Sequence, residues 1–285
     1  MTTPTQATVV DRIDPVAEDV VSLTLRGANG PLAPWEPGAH IDLRLPNWLT
    51  RQYSLCGNPA DRDTYRVAVR LDRLSRGGSE YIHRHLREGR PLAVSTPRNH
   101  FPLLPARRYL FLAGGIGITP VAPMLRAAAR AGVPADLVYA GSSPETMPFA
   151  AELLAEHAEL DADTLVYCCG PASLLAAAEE VFPAERLRVE RFRPSARPVG
   201  PDVAFEALCR RSGRTVPVPA DESLLDALTH AGYPLSAGCR EGVCGSCEIT
   251  VTEGDIDHRD DIGAPAGRMY PCVSRARSAR IVVDL

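Results

Sequence analysis

Four cysteines near the C-terminus constrain this chain more than any other feature. Cys239, Cys244 and Cys247 follow the spacing C-x4-C-x2-C within SAGCREGVCGSC, and Cys272 follows in YPCVS. Four thiolates in this order converge on one metal centre when a tight loop supplies three of them and a distant segment supplies the fourth. The C-terminal part of the chain must therefore fold so that these two segments meet.

The spacing is that of plant-type [2Fe–2S] sites, and it predicts that the four cysteines ligate two irons. We expect Gly238, Gly242 and Gly245 to give the loop positive φ angles, which turn backbone amides toward the sulfurs. The alternatives are a zinc site, although zinc sites usually pair two C-x2-C units, and a disulfide pair. Three of the four cysteines outside the cluster are interpreted as small buried apolar residues: Cys56, Cys168 and Cys209.

The composition is that of an ordinary globular protein, with 45% hydrophobic residues among 285 and a net charge of only -4. No basic run or aromatic-basic stripe points to nucleic acid. No apolar stretch reaches the ~20 residues that cross a bilayer, and the N-terminal residues lack the pattern of a signal peptide. Because reduced thiols in such a protein serve metal or redox chemistry, we expect a cytoplasmic location.

The early part of the chain alternates apolar and polar side chains, which predicts half-buried strands. The pattern occurs in VVSLTLR (20–26), HIDLRL (40–45) and YRVAVRL (65–71). Pro and Gly separate these segments, as in an antiparallel barrel, and one helix is expected at 79–88.

The next part alternates strands with helices, which predicts a parallel sheet covered on both faces. The expected strands are RYLFLAG (108–114), DLVYAG (136–141), TLVYCCG (164–170) and RLRVERF (186–192), and the expected helices are 121–131, 147–157 and 172–181.

These patterns predict a multidomain protein. Its parts are a barrel domain (1–104), an α/β domain (105–193), a Pro-rich linker (194–204) and a cysteine-bearing domain (205–285). In the last domain we expect two strands, near 203–209 and 213–219. A helix is expected over 222–231, with Asp221 as its N-cap.

Over its whole length the chain resembles the phthalate dioxygenase reductase family, which includes the vanillate demethylase reductases. Three motifs carry the resemblance ahead of the cysteine cluster: RQYSLC (51–56), AGGIGITP (113–120) and CCGP (168–171). The resemblance implies a flavin-binding antiparallel β-barrel, an NAD-binding α/β domain with a parallel sheet, and a C-terminal β-grasp ferredoxin domain.

The resemblance also implies that the RQYS motif binds FMN. Arg51 would pair with the FMN phosphate, to which it offers a planar fork, and Tyr53 would lie against the isoalloxazine ring. Gln52 belongs to the same motif, and Ser54 would lie near flavin N5, where hydride arrives. A plain barrel strand is the alternative for so short a motif.

The second half of the FMN site is expected around SRGGSEYIH (75–83). Gly77, Gly78 and Ser79 precede a helix, whose amides and dipole can receive a phosphate, and Ser79 also suits an N-cap. By resemblance, Val69 and Arg70 lie beside the flavin ring. Two nearby histidines have no such role and are interpreted as surface residues: His83 and His85.

AGGIGITP joins an apolar strand to a helix, which is the place for a nucleotide pyrophosphate or ribose. It is not a G-x-G-x-x-G motif, because Pro120 stands where the third glycine would be. The resemblance implies that Gly115 and Gly117 bind the nucleotide and that Thr119 reaches toward the flavin. The alternative is a turn that uses glycine for packing alone.

In CCGP, Cys169, Gly170 and Pro171 resemble the C-G-P turn that approaches the nicotinamide. Cys169 and Ser54 are therefore the candidate catalytic residues, with a merely buried Cys169 as the alternative. Phe192 resembles the residue that closes over the flavin region.

The nucleotide is expected to be NADH. SSPETMPF (142–149) lacks the Arg that many relatives carry there, so the 2′-phosphate of NADPH has no evident partner. FMN is favoured over FAD by resemblance alone.

The implied function is that of a reductase that passes electrons from NADH through FMN and a [2Fe–2S] cluster to an oxygenase component. A flavin connects two-electron hydride transfer to a one-electron cluster. The expected acceptor is a Rieske non-haem iron enzyme acting on an aromatic acid or ether. The alternatives are a haem-thiolate monooxygenase as acceptor and an electron-carrier module without turnover.

We expect a monomer that binds neither nucleic acid nor membrane. DDIGAPAGRMYP (260–271) looks a little shorter than in typical members of the family, so recognition of the partner is expected to differ.

Overall fold

The computed structural model describes residues 4–72, 76–141, 163–195 and 199–285. These residues form two units, Pro4–Glu190 and Arg191–Leu285. The first unit contains a seven-stranded and a four-stranded sheet, and the second contains a five-stranded sheet and a two-stranded ribbon. Within the described ranges, no helix is both long enough and apolar enough to cross a membrane.

The first sheet is an antiparallel barrel, as predicted. Its strands are β1 (Thr5–Ala17), β2 (Val20–Gly27), β3 (Ala39–Arg44), β4 (Thr50–Ser54), β5 (Thr64–Arg70), β6 (Pro91–Ser95) and β7 (Arg98–Asn99). They pair in the order β4-β3-β6-β1-β2-β5, with β7 beside β3. A bridge between Leu55 and Val67 connects the two ends of this order and closes the barrel.

The barrel is filled by apolar side chains that alternate along its strands. Leu23 and Leu25 of β2 and Ile41 and Leu43 of β3 are fully buried in one cluster. Such burial contributes about 1.5–3 kcal/mol for each side chain of this size. Helix α1 (Gly78–Arg84) lies between β5 and β6 and is shorter than predicted.

The second sheet is parallel. Its elements are β8 (Arg108–Gly114), a 3-10 turn (Gly115–Gly117), α2 (Ile118–Ala131), β9 (Ala135–Ala140), β10 (Thr164–Cys169), α3 (Ala172–Val181) and β11 (Leu187–Glu190). The strands pair in the order β11-β10-β8-β9. The helix predicted at 147–157 lies outside the described residues.

Helices cover both faces of this sheet, as predicted. Tyr167 and Cys169 of β10 pack in a cluster that contains α2. Val166 and Cys168 point to the other face and pack in a cluster that contains α3. The alternation of side chains along β10 therefore places one helix on each side.

A short connection between the barrel and the parallel sheet is fixed by Tyr167. The Tyr167 hydroxyl donates to the Pro102 carbonyl oxygen at 3.1 Å, and the Leu104 amide donates to the hydroxyl at 2.8 Å. The predicted boundary between residues 104 and 105 falls just after these contacts. This boundary and the linker at 194–204 stay predictions.

The second unit has the β-grasp arrangement of a ferredoxin. Its elements are β12 (Phe205–Cys209), β13 (Arg214–Val218), α4 (Leu224–His230), β14 (Ile249–Glu253), β15 (Ile256–Asp257), β16 (Arg268–Met269), β17 (Arg275–Ala276) and β18 (Arg280–Val283). The sheet order is β13-β12-β18-β14-β16, and β15 pairs with β17. Leu224 and Leu228 of α4 pack against this sheet.

The N-cap of α4 is not the predicted residue. The Ser223 side chain accepts a hydrogen bond from the Asp226 amide at 3.1 Å, so Ser223 caps the helix and the prediction of Asp221 is wrong. Ser, Asp and Asn cap helices about equally well, so the sequence DES offers two equivalent candidates. The helix starts at the one that lies next to the buried Leu224 and Leu225.

Candidate functional site

Arg51 lies on β4 and reaches the start of α1. Its guanidinium donates to the carbonyl oxygen of Arg76, in the turn before the helix, at 2.8 Å. Gly78 leaves the space that this contact needs, because a Cβ there would lie 2.5 Å from Arg51 Cγ. Gly77 adopts a left-handed φ of 84° at the helix start, and Ser79 is buried next to it. The structure thus brings together the predicted phosphate-binding residues.

The end of β5 is fixed to α1 by two hydrogen bonds. The Ser79 hydroxyl accepts from the Asp72 amide at 3.1 Å. His83 Nε2 lies 2.9 Å from the carbonyl oxygen of Val69, the strand residue before Arg70. A carbonyl only accepts, so this nitrogen carries the proton. The interpretation of His83 as a surface residue is therefore wrong: it is half-buried and holds the strand that carries Val69 and Arg70.

Gln52, Tyr53 and Ser54 follow Arg51 on β4. Ser54 pairs across the sheet with His40 of β3 and is buried. Tyr53 packs against the apolar core of the barrel, and burial raises the pKa of its hydroxyl, so the phenol stays neutral. These three residues form one short strand beside Arg51, and their contacts with a flavin stay a prediction.

The glycine turns at 114–117 and 170–171 pack backbone to backbone. A Cβ on Gly117 would lie 2.2 Å from the Cys169 carbonyl oxygen, and one on Gly114 would lie 2.4 Å from Pro171 Cδ. Gly115 is different, because its φ is 51° and, among the described residues, no atom beyond its chain neighbours lies within 4 Å of a Cβ built there. Packing therefore requires Gly114 and Gly117, while Gly115 leaves open space at the carboxyl edge of the sheet.

Two polar side chains fix this open turn. The buried Thr119 donates through its hydroxyl to the Ile116 carbonyl oxygen at 3.0 Å, so in this structure it serves the turn itself. The Tyr139 hydroxyl of β9 donates to the Gly115 carbonyl oxygen at 3.1 Å. Sequence reasoning missed Tyr139, although its place at the carboxyl end of a parallel strand was a usable signal.

Cys169 and Glu190 meet at the same edge of the sheet. They end the neighbouring strands β10 and β11 in register, and Cys169 Sγ lies 3.9 Å from Glu190 Oε2. Burial raises the pKa of Glu190 to about 8 and that of Cys169 well above its usual range. Both groups are thus mostly protonated near neutral pH. Glu190 was missed by sequence reasoning, although an acidic residue at the end of an apolar strand was visible in RLRVERF.

Two predictions about the nucleotide side are not decided by the described residues. Phe192 is 40% exposed and belongs to the second unit, so its position over the flavin stays a prediction. The segment 142–149, on which the choice of NADH rests, lies outside the described residues.

The four cysteines of the cluster motif interact in two pairs. Cys239 interacts with Cys244, and Cys247 interacts with Cys272. The contact with Cys239 lowers the pKa of the Cys244 thiol to about 6, and the contact with Cys247 lowers the pKa of Cys272.

Backbone amides and one hydroxyl face these sulfurs. The Glu241 amide lies 3.3 Å from Cys239 Sγ, and the Cys239 amide lies 3.4 Å from Cys244 Sγ. The Ser246 hydroxyl lies 3.1 Å from Cys244 Sγ and accepts from the Gly238 amide at 2.6 Å. Such groups stabilise thiolates and an anionic cluster.

The predicted glycine geometry of this loop is partly wrong. Gly242 and Gly245 both have a φ of 70°, but Gly238 is not in the left-handed region. Arg240 takes that conformation instead, with a φ of 61°. The Gly238 amide instead donates a hydrogen bond to the Ser246 hydroxyl oxygen.

In the described part of the chain, no three His, Cys, Asp or Glu side chains are placed to hold one metal ion. A [2Fe–2S] cluster needs four cysteine ligands, two on each iron, and the motif supplies four. All eight cysteines lie in the described ranges and none forms a disulfide, which removes that alternative.

Comparison with known proteins decides the family. Residues 208–277 match the model of the 2Fe-2S iron-sulfur cluster binding domain. The chain is 41% identical to a putative toluene-4-sulfonate monooxygenase system reductase subunit from Comamonas testosteroni, over 95% of this chain and 96% of that protein. The crystal structure of phthalate dioxygenase reductase matches with a TM-score of 0.71 and 31% identity, over 99% of this chain and 98% of that one.

The chain belongs to the phthalate dioxygenase reductase family. The predicted fold class is confirmed: a flavin-binding antiparallel barrel, a parallel-sheet NAD domain and a C-terminal [2Fe–2S] domain. It is an oxidoreductase, the reductase component of an oxygenase system, and its C-terminal domain is a [2Fe–2S] domain.

A second solved structure contains a region similar to this chain as part of a longer protein. An intact type IV self-sufficient cytochrome P450 monooxygenase matches with a TM-score of 0.87 and 38% identity, over 99% of this chain. The chain spans 41% of that protein. A reductase of this family is thus also found fused to a haem monooxygenase.

Proposed function

We propose that the chain delivers electrons from NADH to a Rieske non-haem iron oxygenase that acts on an aromatic acid or ether. The observation that carries the proposal is the cysteine loop, in which backbone amides and the Ser246 hydroxyl face the sulfurs of Cys239 and Cys244, on the same chain as the Arg51 site. FMN supplies the conversion between two-electron and one-electron transfer.

Arg51 and the first turn of α1 bind the FMN phosphate. The Arg51 guanidinium is held at the start of the helix by Arg76 and packs on Gly78. Its charge and the amides of the helix start suit a phosphate dianion. Ser54 and Tyr53, on the same strand, then face the ring end of the flavin, and His83 holds β5 beside it.

The open side of Gly115 admits the nucleotide backbone, because a side chain at this position would fill that space. Cys169 approaches the nicotinamide from the edge of the sheet, next to Glu190. Because burial raises the pKa of Glu190 to about 8, this carboxyl is mostly uncharged when the neutral dihydronicotinamide ring of NADH binds near pH 7. Loss of this proton would give Glu190 a negative charge, which would stabilise the positively charged nicotinamide ring that forms when hydride leaves.

The four cysteines hold the cluster, with Cys239 and Cys244 on one iron and Cys247 and Cys272 on the other. Amides of the loop and the Ser246 hydroxyl donate toward the sulfurs and offset the negative charge of an iron–sulfur centre.

The purified protein tests the proposal directly. We expect absorption bands of flavin and of a [2Fe–2S] cluster, bleaching of both by NADH under anaerobic conditions, and NADH-dependent reduction of cytochrome c. NADPH should be the poorer donor. A colourless protein would contradict the assignment of both redox groups, and coloured protein that NADH does not bleach would indicate a carrier module without turnover.

A haem-thiolate monooxygenase is the second candidate acceptor, favoured by the match to the self-sufficient cytochrome P450. Affinity capture from the source cells distinguishes the two acceptors. A captured oxygenase with a Rieske electron paramagnetic resonance signal supports the first, and one whose reduced carbonyl adduct absorbs near 450 nm supports the second.

We further propose that the reductase acts as a monomer in the cytoplasm. The support is the even pairing of its reactive cysteines within one chain, which requires no second copy and no oxidising compartment. Sedimentation of the loaded protein tests the monomer, and cell fractionation tests the location.

A further inference from the structure

Arg240 has an unusual backbone for its residue type. It directly follows the predicted ligand Cys239 and has a φ of 61°, in the left-handed region that is strained for a residue with a Cβ. This conformation aims the next amide, that of Glu241, at Cys239 Sγ, 3.3 Å away. The strained backbone of Arg240 therefore lies at the point where the loop turns its amides toward the sulfurs.

The side chain of Arg240 is held by the first turn of α4. Its guanidinium forms an ion pair with Asp226 Oδ1. The other carboxylate oxygen of Asp226 accepts from the Ser223 hydroxyl at 2.7 Å, and the Asp226 amide donates back to that hydroxyl at 3.1 Å. The carboxylate that receives Arg240 is therefore fixed by the helix cap.

The same helical turn also holds the second ligand segment. The Leu225 amide donates to the carbonyl oxygen of Pro271, the residue before Cys272, at 3.0 Å. The Leu225 side chain packs with Cys247 and Tyr270. One turn of α4 therefore contacts the chain next to the first ligand and the chain next to the fourth.

We propose that the Asp226–Arg240 ion pair positions the cysteine loop and sets the charge beside the cluster, so that both residues are positioning residues that tune its reduction potential. The inference rests on the proposed cluster. Asp226 neutralises the positive charge of Arg240, which would otherwise stabilise the more negative, reduced cluster. Arg240 in turn neutralises the negative charge of Asp226, which would otherwise destabilise the reduced cluster.

The two single substitutions are expected to shift the reduction potential of the cluster in opposite directions. Asp226→Asn leaves the cation unpaired, so the cluster potential rises. Arg240→Gln leaves the anion unpaired, so the potential falls. Both variants loosen the loop, and the visible absorbance should disappear about two to five times faster under an iron chelator, as expected for the loss of a half-exposed ion pair. The double variant should lose the cluster no faster than either single variant, because the same contact is removed.

The chain offers a matched control in the same unit. Arg280 on β18 and Glu206 on β12 form an ion pair at 2.7 Å, with 57% and 49% of their side chains exposed, against 51% and 37% for Arg240 and Asp226. Glu206→Gln and Arg280→Gln make the same changes of charge outside the cluster loop. They should leave the rate of cluster loss unchanged and shift the potential less than their counterparts.

The measurements are a redox titration followed by visible circular dichroism, and absorbance decay under chelator. Arg240→Lys, which keeps the charge, should lie between the wild type and Arg240→Gln, and it supplies the answer should Arg240→Gln fail to fold. Potentials that shift in the same direction in both single variants, or loss rates that match the controls, overturn the inference. Wild-type protein without cluster absorption would instead overturn the proposed function.

Discussion

Arg51 is the residue on which flavin retention depends. Its guanidinium is already fixed by the Arg76 carbonyl at 2.8 Å and packs on Gly78, so little order has to be gained when a phosphate binds. We expect Arg51→Ala to raise the FMN dissociation constant about tenfold to a hundredfold, the value of a charge-assisted hydrogen bond. The increase in fluorescence on release of FMN measures it. Arg12→Ala, on the exposed side of β1, is the control and should retain FMN as the wild type does.

Gly117 tests the packing of the two glycine turns. Gly117→Ala would place a Cβ 2.2 Å from the Cys169 carbonyl oxygen, and backbone on both sides leaves little freedom to move. We expect a loss of about 1–3 kcal/mol in the free energy of unfolding and slower reduction of the flavin by NADH. Gly200→Ala is the control, because its Cβ would meet nothing nearer than 3.7 Å. Equal melting temperatures for the two variants would contradict the close packing.

Glu190 makes stability depend on pH. In the unfolded chain its carboxyl titrates near 4.5, and in the folded protein burial raises the pKa to about 8. The folded state therefore binds the extra proton between these values, and stability falls as pH rises through that window, by at most about 1.4 kcal/mol per pH unit.

Glu190→Gln removes this contribution because the amide does not titrate. The melting temperature of the wild type should fall relative to the variant between pH 5 and 8 and then stay level. Parallel curves over this range would show that the carboxyl ionises freely in the folded protein. Thermal unfolding at a series of pH values measures the difference.

The site residues that could be predicted share a property: each belongs to a short motif. The cysteine spacing gave the ligand set, and the RQYS motif placed Arg51 where the structure has it beside Gly78. Glu190 and Tyr139 belong to no motif. They join the site because parallel strands end at one edge, which depends on the order of the strands in the sheet.

The strand with the most accurately predicted bounds is one that is buried on both faces. β8 was expected over 108–114 and spans Arg108–Gly114, since a continuous apolar run between a charged start and glycines has sharp ends. β1 escaped prediction although it is the longest strand described. Its pairing with β2 shifts register between Val10 and Arg12 and again between Pro15 and Ala17, which breaks the alternation on which a prediction relies.

The turn between β3 and β4 contains a residue that does not suit it. Trp48 has a φ of 64° and is 96% exposed, so it gains no burial in exchange for a left-handed backbone. Glycine is favoured in this conformation by about 1 kcal/mol. We expect Trp48→Gly to raise the melting temperature by a few degrees, measured by circular dichroism. Asp19→Gly is the comparison: Asp19 has a φ of 56°, but aspartate tolerates this region, so its gain should be smaller.

The complete chain joins two units whose redox groups are built separately. The barrel and the parallel sheet share one unit, and the four cysteines belong to the other. The contacts described for Arg51 come from residues of the first unit, and the amides described as facing the sulfurs come from residues of the second. Flavin chemistry and cluster chemistry should therefore be separable by substitution.

Cys244→Ser is the substitution that separates them. Cys244 is buried and interacts with Cys239, and its Sγ accepts a hydrogen bond from the Ser246 amide at 3.5 Å. Its replacement therefore removes one of the two cysteine ligands of one iron. We expect the cluster absorbance and cytochrome c reduction to be lost while NADH still bleaches the flavin at the wild-type rate. Cys209→Ser, at a buried cysteine of β12 in the same unit, should keep all three signals. If Cys244→Ser also abolished the bleaching by NADH, the two redox centres would be one cooperative structure, and the order of transfer from flavin to cluster would lose its support.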